Sequence, residues 1–204
     1  MSELAPARRS PIRGRIATAA ITSAGFVALL WAIEIVDTVM GNRLDYSGIQ
    51  PREIDGLWGI LWAPLLHGGW QHLLANSGPA LVLIFVITLS GLALWAEATA
   101  IIWVVAGVGT WLIAQPNSVH IGASSLIFGW ITFLVLRGIF ARSALQIVVG
   151  VLALGAYGSV LWGVFPGQQG ISWQGHLFGA IGGVVAAVLL GRRARENNAT
   201  PTAG

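Results

Sequence analysis

Six apolar stretches, most of them long enough to cross a hydrocarbon core, limit what this chain can fold into more than any other feature. A spanning helix takes about 20 predominantly apolar residues, and in lipid its backbone groups must be bonded within the segment. The stretches run from Ile16 to about Met40, Gly69 to about Leu89, Leu92 to about Ala114, Ser124 to Leu136, Leu145 to about Trp162 and Trp173 to about Leu190. The fourth is short, which suits a helix that starts below the membrane surface. Only 9% of the 204 residues are charged, against about 25% in soluble domains, and this excludes an ordinary water-soluble protein. The expected fold is an all-α membrane protein with one six-helix domain over residues 16–190. A basic tail, residues 1–15, precedes it, and a polar, disordered tail, residues 191–204, follows it.

All eleven basic residues are arginines, and they sit beside apolar segments, so they report membrane topology rather than a nucleic-acid surface. Nine of them fall on the face that carries both termini and the loop between spans four and five, where Arg137 and Arg142 lie; Arg43 and Arg52 fall on the other. The excess places both termini in the cytoplasm. The connection from Met40 to Pro64, the Asn117 loop and the loop from Gly163 to Gly170 then face outward together. A structureless connection of the first one's length would be unusual, so short helices at the membrane surface are expected there, with Trp58 and Trp62 sharing a buried face. The absence of cysteine rules out a disulfide, a thiolate nucleophile and a cysteine metal site.

Polar groups at membrane depth are costly and mark function by default. Three clusters qualify. His72 and Asn76 share a face at the start of span two. Gly122-Ala123-Ser124-Ser125 opens span four, where free N–H groups and the positive helix end lie. In span six, His176 stands beside Gly175, Gly179 and Gly183, a small-xxx-small ridge that admits another helix closely. All three clusters begin at outward ends, so they can converge. A serine beside a histidine is a nucleophile with its general base, and His72, Asn76 and the amides near Ser124 are donors suited to an oxyanion. Spans two, four, five and six hold no acidic residue, which limits the set to a dyad. Taken singly, Ser124 also reads as a helix N-cap, His72 and Asn76 as a structural pair, and His67 as a tie between loop and span. His120 takes no role. His67 and His72 lack the His-Glu-x-x-His pattern of a zinc site.

These residues resemble the rhomboid intramembrane serine proteases. The likeness rests on His67, His72 and Asn76 in the pattern H-x-x-x-x-H-x-x-x-N, on Gly122 and Ser124 as G-x-S, and on His176 and Gly179 as H-x-x-G, in order over residues 16–190. The resemblance implies Ser124 as nucleophile, His176 as base, and His72, Asn76 and the Ser124 amide as oxyanion donors. It also implies a membrane-embedded first loop, cleavage of transmembrane protein substrates near their outward ends in a lipid bilayer, here a prokaryotic plasma membrane, and no metal or cofactor. The family motif ends in glycine where this chain has Ser125. The alternative reading is a catalytically inactive rhomboid-like protein that binds transmembrane clients. A small transporter is disfavoured because no inverted repeat is present.

Overall fold

The computed structural model describes residues 11–168 and 170–199; the expectations for residues 1–10 and 200–204 lie outside them. Seven α-helices occur among the described residues: α1 (Pro11–Val39), α2 (Gly59–Trp62), α3 (Trp70–Leu89), α4 (Leu92–Ile113), α5 (Ser124–Ala141), α6 (Ala144–Tyr157) and α7 (Trp173–Ala199). All but the short α2 belong to stretches long and apolar enough to cross a membrane, α6 together with the 3-10 turns that follow it to Val164. The architecture is therefore the expected all-helical six-span bundle. The one pairing of extended backbone among the described residues is the isolated antiparallel bridge between Ile49 and His120.

The bundle is built around α5 and α7. Protein buries 61% of the apolar stretch of α5 and 56% of that of α7, against 17% for α1 and 11% for the fifth span, so α1 and α6 are peripheral. Two glycines of α7 let the central pair approach. A methyl group at Gly179 would strike the Ser125 carbonyl oxygen, and one at Gly183 the Gly129 carbonyl oxygen. Gly175 does not continue that contact; its nearest neighbours are the Ser172 and Thr110 hydroxyls. Trp130, Phe133 and Leu126 fill the space between α5 and its other neighbours and are fully buried, and the Trp130 indole donates to Thr99 Oγ1 of α4 at 3.0 Å.

The connection from α1 to α3 forms short helical pieces, as its length requires: 3-10 turns at Leu44–Ser47, Asp55–Leu57 and Ala63–Leu65, and α2. They lie along the C-terminal half of α4. Trp103 Nε1 donates to the Ile60 carbonyl at 2.6 Å, Trp111 Nε1 to the Glu53 carbonyl at 2.9 Å, and Arg52 Nη1 to the Leu112 carbonyl at 3.0 Å. Trp58 and Trp62, expected to share a buried face, are 68% and 51% exposed, so that face does not pack on the rest of the protein. The side of α2 that meets α4 carries Ile60, which fills the space over Gly107, while the buried Gly59 packs against the Gly48 carbonyl within the connection. The tryptophans are left to face outward, where an indole suits a bilayer interface.

Three segment ends differ from expectation. Helix α1 already includes Pro11, so it extends into the expected tail as far as the described residues reach. Helix α5 runs to Ala141, not Leu136. Arg137 is therefore not a loop residue: it is 7% exposed, and its guanidinium sits 5.7 Å from the centroid of Phe133. The turn into α6 consists only of Arg142, in the left-handed region at φ 51°, and Ser143. The expected disorder from residue 191 is also incorrect as far as the described residues reach. Helix α7 continues to Ala199, with Gly191 seated against Phe140 and Arg193 bonded to Glu97 of α4 at 2.6 Å.

Candidate active site

Ser124 is the first residue of α5. Two bonds from the α1–α3 connection hold the segment that delivers it: Gly122 N–H donates to the Ala63 carbonyl at 2.8 Å, and Ala123 N–H to His67 Nε2 at 3.4 Å. Gly122 has φ +118°, and a Cβ there would also strike the His72 imidazole. Both the backbone and the space therefore demand glycine. As a first-turn residue, Ser124 has a backbone N–H that no carbonyl of its own helix can take.

His176 lies in the first turn of α7 and points at the serine, with Nε2 2.8 Å from Ser124 Oγ. Its Nδ1 lies 3.0 Å from the Gly163 carbonyl. A carbonyl only accepts, so Nδ1 carries the proton, and the bare Nε2 accepts from the Ser124 hydroxyl. Gly163, in the 3-10 stretch after α6, can come this close because a Cβ there would meet both His176 Nδ1 and Phe128. The Phe128 ring, one turn after Ser124, stacks on the imidazole at 4.0 Å and 14°. The ring of His176 is thus fixed by a bond at each nitrogen and a face-to-face contact.

His72 and Asn76 line the same open cavity of about 840 Å³ as Ser124, Phe128 and His176. Asn76 is 4% exposed and gives one N–H to the His72 carbonyl at 2.9 Å, which leaves one amide hydrogen uncommitted. Pro79 at the cavity wall cannot donate to the Ala75 carbonyl, so α3 is also weakened there. Ser125 does not line this cavity. It lines a void of about 20 Å³ on the side of Thr110, Ser172 and Gly175. All four candidate residues therefore line one cavity, and Ser125 meets only the small void, which Ser124 also lines.

His67 is almost fully buried, and its ring meets that of His72 edge to face at 5.1 Å. Burial, with His72 second, pushes His67 down to about 4 from the usual 6.5. It stays neutral in the folded protein while the unfolded chain takes up a proton, so its contribution is complete above pH 6.5 and is lost as pH falls toward 4. That loss is at most about 3 kcal/mol. Asp45, pushed up to about 6 by burial beside Asp37, acts in the opposite sense and more weakly because it is half-exposed. The thermal midpoint in detergent should fall between pH 6.5 and 4.5, and His67→Gln, whose amide reaches the Nε2 position to accept from Ala123 but does not titrate there, should flatten the fall. An equally steep fall in the variant would assign the acid sensitivity elsewhere.

A Rhomboid domain model matches residues 55–193, which include Ser124, His176, His72 and Asn76. The chain belongs to the rhomboid family. An uncharacterized protein of Mycobacterium tuberculosis is 49% identical to this rhomboid over 207 residues, covering 98% of this chain and 86% of the relative. A putative rhomboid protease, YdcA, of Bacillus subtilis is 28% identical over 162 residues, 75% of this chain and 74% of that protein. Rhomboid-like protease 5 of Toxoplasma gondii is 30% identical over 144 residues, 66% of this chain but 16% of that protein. No solved structure matches this rhomboid significantly.

Sequence reasoning overlooked the Gly163 carbonyl, the Phe128 ring and the hydrogen bonds of His120. Phe128 was accessible through its position one turn after the serine. A backbone carbonyl has no signature in a sequence.

Proposed function

We propose that this rhomboid is a serine endopeptidase that hydrolyses transmembrane proteins inside a prokaryotic plasma membrane, near the outward face. The observation that carries the reading is the 2.8 Å bond between Ser124 Oγ and a His176 whose tautomer is fixed by Gly163. As Ser124 Oγ bonds to the scissile carbon, its proton passes to His176 Nε2. The resulting oxyanion meets the Ser124 amide and the donors of His72 and Asn76. His176 then gives the proton to the leaving nitrogen as the C–N bond breaks. A water entering through the open cavity loses a proton to the same Nε2 and attacks the acyl carbon, and Nε2 returns that proton to Ser124 Oγ as the C–O bond breaks and the acid is released.

The orientation follows from arginine placement. Arg142, Arg192, Arg193 and Arg195 lie at the ends of α5 and α7 away from Ser124, whereas Arg43 and Arg52 lie near it, so the termini belong in the cytoplasm. Bacterial relatives support a prokaryotic membrane. The test is cleavage of a reporter transmembrane protein in liposomes, together with labelling by a fluorophosphonate. Wild type and Ser125→Ala should cleave and label, and Ser124→Ala should do neither. Cleavage by Ser124→Ala at the wild-type rate would sink the proposal.

A further inference from the structure

The bond between Ser124 and His176 has a counterpart one helical turn upstream. His120 Nδ1 lies 2.7 Å from Ser172 Oγ, and this pair is separated by 52 residues, as are Ser124 and His176. The histidine now stands on the segment leading to the serine, and the serine on the segment leading to the histidine. Donor roles in the upstream pair are determined. The Ser118 hydroxyl donates to the Gln115 carbonyl, so at 2.9 Å from His120 Nε2 it must accept, and Nε2 carries the proton. The bare Nδ1 then accepts from the Ser172 hydroxyl. Ser172 Oγ in turn accepts the Gly175 N–H at 3.2 Å, and the Ser172 carbonyl accepts the His176 N–H at 3.1 Å. Ser172 is therefore the N-cap of α7, and His120 fixes the rotamer of that cap. His120 is itself anchored, because its N–H and carbonyl both bond Ile49 at 3.0 Å. Its burial favours the neutral ring, which the bare Nδ1 requires.

We propose that His120 and Ser172 are a positioning pair that fixes the first turn of α7 against the segment entering α5 and so holds His176 Nε2 on Ser124 Oγ. The inference rests on the proteolytic reading of Ser124 and His176. The Gly179 and Gly183 contacts hold the two helices further along, and the bond between His120 and Ser172 adds a tie at the segments that enter them. A displacement of about 1 Å at a reacting pair costs on the order of 100-fold in rate. Ser172 is not itself placed as the nucleophile, because its oxygen is held by the Gly175 N–H.

The experiment compares wild type, His120→Phe, Ser172→Gly, the double variant and Ser172→Thr for kcat and KM on a reporter transmembrane protein in liposomes. It also measures fluorophosphonate labelling rate and thermal midpoint. Glycine is chosen because it serves as an N-cap at a cost of only a few tenths of a kcal/mol, so the hydroxyl is removed with little change in helix stability. Each single change should lower kcat and labelling by about 10- to 100-fold, with KM within about twofold and the midpoint little changed. The double variant should be no worse than the poorer single, and Ser172→Thr should recover most of the rate. Wild-type labelling rates in His120→Phe and Ser172→Gly, multiplying losses in the double variant, or a probe attached to Ser172 would each overturn the pairing while leaving the protease reading intact. A wild type that neither cleaves nor labels would overturn both.

Discussion

Alanine at Ser124, at His176 or at both is expected to leave the same residual cleavage, about 10⁴-fold or more below wild type. The two side chains act on one proton. Without Nε2 the hydroxyl has no acceptor at 2.8 Å, and without Oγ the imidazole has no proton to take. Losses at groups that act as a unit do not multiply. Initial rates on a reporter transmembrane protein, with kcat and KM separated, check this. The loss belongs in kcat, because neither side chain is asked to bind the ground state. A double variant that is slower than both singles by the product of their losses would show that the two residues act separately.

The second large effect is expected at a residue that does no chemistry. Gly179→Ala places a methyl group against the Ser125 carbonyl oxygen, closer than van der Waals contact allows, and both sides of the contact are backbone. Helix α7 must move away from the first turn of α5, which also carries Ser124. Overpacking of this kind costs about 1–3 kcal/mol, and a shift of about 1 Å separates His176 from Ser124, for a loss of roughly 100-fold in rate. Gly155→Ala is the control, since nothing lies within 4 Å of that position on α6. Thermal midpoints and cleavage rates of the two variants check the prediction. A Gly179→Ala protein that matched Gly155→Ala in both would mean that the α5–α7 contact yields easily.

The six spans were legible because lipid leaves a chain few options. An uncharged apolar stretch of sufficient length must be a helix, and each expected stretch coincides with one. Their ends were not legible, because polarity is a poor marker of where a helix stops. Residues Gly191 to Ala199 read as a tail but continue α7, held by Gly191 on Phe140 and Arg193 on Glu97. Arg137 read as the start of a loop, yet it is buried over Phe133. Spacing put Trp58 and Trp62 on one face of a short helix without telling which side that face meets, and Gly59 and Ile60 settle it.

At the candidate site, Ser124, His176, His72 and Asn76 could be singled out because each is a polar residue near the N-terminal end of a span. The commitment of one Asn76 hydrogen to its own helix could not be seen. Nor could the pairing of His120 with Ser172, which lies 52 residues away.

The carbonyl of Gly163 occupies the place where a water-exposed hydrolase would set an aspartate behind its histidine. A neutral acceptor orients the ring without leaving a permanent anion in the bilayer, where an ionised carboxylate costs about 2.5–3.5 kcal/mol. The resting site therefore holds no net charge, and on the proposed mechanism charge separates only while the peptide bond is under attack. On that mechanism the cost of ion formation falls on each turnover rather than on the fold. Such a site has no acidic partner to protonate, so the acid limb of its rate profile would belong to histidines, His176 and the positioning His120 among them.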